Sequence, residues 1–292
     1  MQPRNKALIG LLAAAPLFFA ATPLAADPEQ GGEKLFKVCA DPNNLPFSNQ
    51  AQEGFENKLA ELIAADLSEK VSYTWWAQRR GNIRNTLKAR ACNVIMGVPA
   101  GLGVVETTRP YYRSTYVFVT RPDRSALSSL KDPALKTLKV GVQLIGDNGF
   151  NTPPAHALAA EGVVNVRGYT VYGDYRDQNP AAGIVEAVRN GEVDVAAVWG
   201  PLAGYFASRD GAKLTVTPIS DPDDFAPLRF QFDIAMGVRK GDAALKAQLN
   251  QVLERRRDEI ERLLQSYDVP VVAEKGAVEA ASNPAGMEGG AR

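Results

Sequence analysis

Short apolar segments alternate with amphipathic segments along most of this chain, and the alternation occurs twice. In residues 34–121, LFKVCA and NVIMGVPA have the apolar character of buried strands, and ENKLAELIAADLS between them carries apolar residues at helical spacing. In residues 122–220, LKVGVQ and VDVAAVW repeat the strand pattern, and AAGIVEAVRNG between them is typical of a helix. Alternating strands and helices are joined by right-handed crossovers, so we predict an α/β protein with a largely parallel sheet.

A further strand and helix follow the second unit. The segment FDIAMGVRK is predicted to be a strand, and one long helix is predicted from Asp242 to Tyr267. These elements predict a discontinuous first lobe, residues 34–121 plus 221–269, with residues 122–220 as the second lobe. Open α/β sheets bind ligands beyond the carboxyl ends of their strands, so we predict a two-lobed fold with an interlobe cleft.

The segment VCADPNNLPFSN, residues 38–49, leaves the first predicted strand through an elaborate turn. Its position at a strand's carboxyl end predicts that it lies on the rim of the cleft. Asn43 and Asn44 are its candidate hydrogen-bonding residues.

The first 26 residues have the layout of a signal peptide. Arg4 and Lys6 precede an uncharged run, and small residues end at Ala26 before the polar Asp27. A membrane anchor is the alternative, but the apolar run is short and interrupted by prolines. We therefore predict cleavage between Ala26 and Asp27 and a periplasmic mature protein.

The charges of the chain balance, with 33 basic and 33 acidic residues. Such a chain has no overall field to attract nucleic acid, and no segment after the signal peptide is apolar enough to predict membrane insertion. Residues 270–292 are rich in Gly, Ala, Glu and Pro and are predicted to be a disordered tail.

Cys39 and Cys92 are the only cysteines. In an exported protein, an isolated even pair predicts a disulfide, which would make the two apolar segments that carry them neighbours in one sheet. Closing a loop of about 54 residues would stabilise the fold by about 4 kcal/mol. Two separate buried thiols are the alternative.

Several segments resemble one family when they are taken in order. They are CADPNNLPFSN, GFENKLAELIAADL, LKARACNVIMGVPAG, RPYYRSTYVFVTR and IVEAVRNGEVDVAAVWGP. Together they resemble the type II periplasmic solute-binding proteins of the polar amino acid receptor superfamily. A narrower group, the J proteins encoded with bacterial methanol-oxidation systems, is resembled in three features: the exact sequence of the first segment, the cysteine pair, and the segment TTRPYYRSTYVFVTR. This resemblance implies a periplasmic accessory of a PQQ-dependent methanol dehydrogenase. No cofactor is predicted for this chain itself.

The predicted cleft departs from that of an amino acid receptor. Receptors of this type place an arginine in the first lobe to pair with the ligand carboxylate, and here only Arg109, immediately before Pro110, lies near that position. Where receptors place an aspartate for the ligand ammonium group, this chain has Trp199-Gly200-Pro201. The charged clamp for a free amino acid is therefore predicted to be absent.

Aromatic and amide side chains remain as candidates, and a concave surface rich in them suits an apolar ring or a protein segment. Ordinary core packing is the alternative, above all for Trp75 and Trp76, since strand alternation buries one of them. The predicted cleft or partner-binding residues are Asn43, Asn44, Phe47, Trp75, Arg109, Tyr111, Tyr112 and Trp199.

Catalysis has little support in the sequence. His156 is the only histidine, so neither a Ser-His-Asp triad nor a multi-histidine metal site is predicted. Two functions stay open: a non-enzymatic accessory that docks on the dehydrogenase, and a solute-binding receptor of an ABC transporter. A lyase on this fold would need acid–base groups that the sequence does not supply.

Overall fold

The structure is a computed structural model that describes residues 33–145, 151–209, 213–220 and 222–273. The predicted signal peptide, with its cleavage site at Ala26 and Asp27, lies outside these residues, as does most of the predicted tail. No helix in the described ranges combines the length and hydrophobicity that a membrane span requires.

Twelve strands and seven helices are assigned in the described ranges. Those before residue 108 are β1 (Leu35–Ala40), β2 (Asn43–Asn44), β3 (Ser48–Asn49), α1 (Phe55–Asp66), β4 (Lys70–Trp75), α2 (Asn82–Asn85), β5 (Val94–Pro99) and β6 (Glu106–Thr107). Those after it are β7 (Tyr112–Thr120), β8 (Val140–Leu144), α3 (Pro153–Ala160), β9 (Val166–Thr170), α4 (Gly183–Arg189), β10 (Val195–Trp199), α5 (Gly200–Ala207), β11 (Thr215–Pro218), β12 (Gln231–Val238), α6 (Ala243–Arg255) and α7 (Arg257–Ser266).

One mixed sheet forms the centre of the fold, in the order β4-β1-β5-β12-β7-β10-β8-β9. Its two ends are parallel, as predicted, but β12 and β7 pair antiparallel with their neighbours, so the middle is not. We call β1, β4, β5, β6 and β12 the first sheet half, and β8 to β11 the second sheet half. The α/β class is confirmed, whereas the lobe boundaries at residues 121 and 221 stay a prediction.

Strand β7 connects the two sheet halves. Its first residues pair with β12, where Ser114 lies opposite Phe232, and its later residues pair with β10, where Val117 lies opposite Val198. A strand shared in this way holds both halves in one hydrogen-bonded ladder while each half builds its own core.

The predicted long helix is two helices. Arg256 lies between α6 and α7 with φ −105° and ψ 16°, values that depart from helical geometry and separate the two helices. At the break, the guanidinium groups of Arg255 and Arg256 both pair with Asp66 of α1. The predicted apolar stripe is confirmed, since Leu249 and Ile260 are buried in the same core on either side of the break.

Cys39 and Cys92 form the predicted disulfide, with 5.5 Å between their Cα atoms. Strands β1 and β5 are parallel neighbours, and Cys39 lies opposite Ile95. Both cysteines are buried in a small core beside Leu87.

Residues 270–273, the first four residues of the predicted tail, make hydrogen bonds with β7. The Ser114 hydroxyl donates to the carbonyl of Pro270 at 2.6 Å, and the Val272 amide donates to the carbonyl of Arg113 at 2.9 Å. These bonds hold residues 270–273 against β7, close to the helix α5. A side chain at Gly204 of α5 would collide with the carbonyl of Asp268, so glycine permits this approach.

Candidate functional site

Asp41 organises the loop that follows β1. Its side chain is fully buried, and its carboxylate accepts hydrogen bonds from the amides of Asn43 at 2.8 Å and Gln78 at 2.7 Å. The Ser48 hydroxyl accepts from the Asp41 amide and donates to the Asp41 carbonyl. The rim loop is therefore fixed by its own polar groups.

This loop holds the segment 173–177, which follows β9 of the second sheet half. The Tyr175 hydroxyl donates to the Asp41 carboxylate, and the Asn43 side-chain amide donates to the carbonyl of Asp177 at 2.8 Å. The guanidinium of Arg79 lies 4.5 Å from the centre of the Tyr175 ring, a cation–π contact. We call Asp41, Asn43 and Arg79, together with residues 173–177, the bridge.

Leu45 adds an apolar contact beside the bridge. It is 8% exposed and packs in the core of the second half, with Val117 and Val119 of β7 and with Ala181 and Ala182. The segment DPNNL thus contributes a carboxylate, an amide and a leucine to the same junction. This edge between the sheet halves is closed by the protein's own residues.

Burial and the hydrogen bond to Asp41 raise the pKa of the Tyr175 hydroxyl well above its ordinary value. The phenol is therefore a protonated donor throughout the physiological range, and the bridge does not depend on pH through this group.

An apolar cavity of about 260 Å³ lies beside β7, between the carboxyl end of β5 and that of β10. The Trp199 ring lies 5.3 Å from Tyr116 and 5.8 Å from Phe232, in edge-to-face arrangements. The buried Gln143 accepts a hydrogen bond from the Trp199 amide at 3.0 Å, which fixes the strand end. The lining residues are Gly97, Pro99, Tyr116, Gln143, Thr152, Val171, Trp199, Leu202, Phe232 and Ile234. This surface can take an apolar or aromatic group.

Glu56 is a buried carboxyl group beneath the end of β5. It accepts a hydrogen bond from the Tyr111 hydroxyl at 3.3 Å, and that hydroxyl accepts one from the Gly97 amide at 3.2 Å. Gly97 has φ +65°, and any side chain there would collide with Glu56. Burial, which outweighs the lowering effect of the Tyr111 hydrogen bond and is aided by the nearby charge of Asp41, raises the pKa of Glu56 to about 8. Glu56 is therefore largely protonated at neutral pH.

Tyr111 and Tyr112 were predicted in the cleft, and the structure corrects this prediction. They are 9% and 6% exposed and belong to the core of the first half. Tyr112 packs edge-on against Phe55, and Phe47 also packs against Phe55, at 5.5 Å between ring centres. Phe47 is half-buried, so these rings stabilise the fold and present little surface.

Arg109 and Trp75 also lie elsewhere than predicted. Arg109 is absent from the cavity lining, because its guanidinium pairs with Glu254 of α6 and its amide donates to Asn250. Trp75 stacks on Tyr73 at 4.5 Å and packs against the first core. Trp76 is the exposed member of the tryptophan pair, at 44%.

The remaining predicted residues lie at the junction of the sheet halves. Asn43 belongs to the bridge, Asn44 donates to Gln78 at 3.3 Å, and Trp199 lines the apolar cavity. Sequence reasoning missed Asp41, although an acid followed by Pro-Asn at a strand end is typical of a side-chain-stabilised turn. It also missed Tyr175, which lies in a polar connecting segment and has no such signal.

His156 is exposed, and its Nε2 accepts a hydrogen bond from the Asn151 amide at 3.1 Å. Within the described ranges, no group of three or more His, Cys, Asp or Glu residues is placed to hold a metal ion.

Replacing Tyr175 by phenylalanine should lower the free energy of unfolding by about 1–2 kcal/mol, because a hydrogen bond to a carboxylate is lost. Hydrogen exchange should rise at residues 41–45 and 173–177. Tyr169→Phe is the matched control, since the buried Tyr169 hydroxyl has no hydrogen-bond partner in the described structure. Urea unfolding and amide exchange check this prediction, and equal behaviour of the two variants would contradict it.

Residues 36–268 match the family described as bacterial extracellular solute-binding proteins, family 3. The chain is similar to Protein MoxJ of Methylorubrum extorquens AM1, 33% identical over 264 residues, which cover 85% of this chain and 84% of that protein.

Two solved structures are also similar. The periplasmic binding protein XoxJ from Methylobacterium extorquens AM1 has a TM-score of 0.68 and 36% identity, covering 82% of this chain and 100% of that one. An ancestral cationic amino acid solute-binding protein has a TM-score of 0.62 and 20% identity, covering 80% of this chain and 95% of that one. At that identity, the second likeness shows the fold alone.

Proposed function

Because this chain belongs to the bacterial extracellular solute-binding proteins, family 3, and within them to the MoxJ type, we propose that it is a periplasmic accessory of methanol oxidation. In this proposal it is not an enzyme. It docks on a PQQ-dependent methanol dehydrogenase and assists that enzyme's maturation or activation. PQQ is the cofactor of the partner, and this chain holds none.

The observation that carries the proposal is the absence of charge in the apolar cavity. None of the described residues that line it is Asp, Glu, Lys or Arg. A free amino acid brings a carboxylate and an ammonium group, and each needs a paired charge when it leaves water. The residues present give it no such partners, and this disfavours a nutrient receptor of the amino acid type.

The bridge supports the same proposal. Tyr175 and Leu45 already join the sheet halves at the rim, so a ligand is not needed to hold that edge together. A protein whose halves are held by its own contacts presents a constant surface, and a constant surface suits docking on a partner because little conformational freedom is lost on binding.

Mixing this protein with the purified methanol dehydrogenase of the same organism should give saturable binding, and deleting its gene should lower dehydrogenase activity in the periplasm. Interferometry and an activity assay of periplasmic extract measure the two effects. Restoring the gene should restore activity. Absent binding, together with unchanged activity in the deletion strain, would reject the proposal.

A solute-binding receptor of an ABC transporter is the second candidate, and the apolar cavity is the observation that favours it. A ligand of about 260 Å³ would be an uncharged apolar or aromatic molecule held by Trp199 and Phe232, with Gln143 for one hydrogen bond. A ligand at 100 times its Kd would stabilise the folded protein by about 2.7 kcal/mol. Thermal unfolding with a panel of such solutes separates the candidates, and a stabilising hit that Trp199→Ala abolishes would favour the receptor.

A further inference from the structure

The charges of this neutral chain are not evenly distributed. Residues 71–105 contain five basic residues and no acidic residue. All five fall within twelve positions, Arg79, Arg80, Arg84, Lys88 and Arg90. The acidic residues that balance them lie elsewhere in the chain, so one segment carries a local positive charge that composition alone conceals.

The structure gathers part of this segment around a second cavity, of about 390 Å³. Arg79, Arg84 and Lys88 line it together with Ile95 and Val98 of β5. Cationic side chains therefore surround an apolar floor. This combination differs from that of the first cavity, where none of the described lining residues is charged.

Three cations of this segment, Arg80, Arg84 and Lys88, have no carboxylate partner among the described residues, unlike other cations of the protein. Arg124 pairs with Asp194 at 2.6 Å, and Arg167 pairs with Glu192 at 2.6 Å. Among the described residues, by contrast, no carboxylate lies within ion-pair distance of Arg80, Arg84 or Lys88. Their charge is available to a partner.

Two exposed apolar side chains accompany the cations. Val104 lines the same cavity and is 45% exposed. Trp76 does not line the cavity, but it precedes Arg79 by three residues in the chain and is 44% exposed. Tryptophan and arginine are the residues most enriched at the energetic centres of protein interfaces. We call Trp76, Arg79, Arg80, Arg84, Lys88 and Val104 the basic surface.

We infer that the basic surface is the docking site for an acidic segment of a protein partner. Carboxylates of that segment pair with Arg84 and Lys88, and an apolar side chain enters the cavity above Ile95 and Val98. This inference rests on the proposed function and adds the charge of the partner's contacting face. It also predicts that association is fast and sensitive to salt, because opposite charges steer the encounter.

A small anion fits these observations less well. Sites for small ligands fix their polar contacts with a few well-placed and largely enclosed groups. Arg79, Arg84 and Lys88 are exposed, and single exposed ion pairs contribute little in water. An extended acidic segment engages several of them at once, and the sum of these contacts gives affinity.

The test is the binding of methanol dehydrogenase to the wild-type protein and to Arg84→Glu/Lys88→Glu at low and moderate salt. Lys34→Glu/Lys136→Glu is the matched control, since it makes the same net change at two exposed lysines outside the segment. We expect the affinity of the wild type for the dehydrogenase to fall as salt rises. At low salt, the reversal variant should bind at least tenfold more weakly than the wild type, and the affinity of the control should stay within twofold of the wild type. Circular dichroism confirms that each variant is folded.

The outcomes separate the inference from the proposed function. Wild-type binding that the reversal variant retains would place the interface elsewhere and leave the proposed function intact. Absent wild-type binding would reject the proposed function, and the docking site with it. If citrate raises the melting temperature of the wild type but not of the reversal variant, and partner binding is equal in both, the cavity takes a small anion and the inference is overturned.

Discussion

Replacing Cys39 and Cys92 together by alanine is expected to lower the free energy of unfolding by about 4 kcal/mol. The disulfide joins residues 53 positions apart, and a closed loop of this length removes about that much chain entropy from the unfolded state. Both cysteines are buried, so the smaller alanine side chains add a modest loss of packing.

Urea unfolding of the oxidised wild type, the reduced wild type and the double variant measures this effect. The reduced wild type controls for the change in side-chain size, and it should lose nearly as much stability as the double variant. Equal unfolding midpoints for the oxidised and reduced wild type would contradict the prediction.

The disulfide also bears on the candidate interface. The loop that it closes contains Asp41 of the bridge and the whole basic segment from Arg79 to Arg90. Both ends of the loop are fixed in adjacent strands of one sheet. The reduced protein should therefore show faster amide exchange in residues 77–91 while the second sheet half changes little.

Replacing Glu56 by glutamine should remove most of the decline in stability between pH 5 and pH 8. The pKa of Glu56 is about 8 in the folded state, against 4.5 for an ordinary glutamate. Between these pH values the folded protein retains a proton that the unfolded chain has lost. The contribution of Glu56 to the free energy of unfolding is therefore greatest below pH 4.5 and falls as pH rises. The slope approaches about 1.4 kcal/mol per pH unit.

Glutamine keeps the shape of Glu56 and can still accept the Tyr111 hydrogen bond, but it cannot ionise. The variant should therefore exceed the wild type in stability by several kcal/mol at pH 8, an order-of-magnitude expectation from the same linkage. Glu61→Gln is the control, because Glu61 lies on the same helix and is exposed. Urea midpoints from pH 5 to 8.5 test the prediction, and parallel curves for the wild type and Glu56→Gln would contradict it.

The parts of the fold that local patterns determine could be predicted from the sequence. The apolar runs of β1 and β5 and the apolar stripe of α6 and α7 lie where the periodicity placed them. The disulfide predicted from the isolated cysteine pair is present, and the two strands that carry it are neighbours. The two-lobed class and the family were predicted from several segments in order, and both are confirmed.

The candidate site could be predicted only in part, because its contacts join distant segments. Tyr175 and Asp41 are 134 positions apart, and no local pattern relates them. Tyr111 and Tyr112 were misplaced because an aromatic pair at the start of a strand looks the same whether it faces a cleft or a core. The break at Arg256 was missed because the apolar spacing continues across it while Asp66, which pairs there, lies on another helix.

The basic surface shows a different limit of sequence reasoning. Its basic residues can be read from the sequence, but the balanced net charge of the chain does not reveal that they are clustered. Only the structure distinguishes this cluster from other basic runs. Arg84 and Lys88 line a cavity, whereas Arg255 and Arg256, which look similar in the sequence, form ion pairs with Asp66.

The most direct test of the account is a titration of the mature protein with its own organism's PQQ-dependent methanol dehydrogenase, followed by interferometry at low and moderate salt. We predict saturable binding that weakens as salt rises. Lack of binding at every concentration and salt level would contradict the claim that this solute-binding fold works by docking on a dehydrogenase.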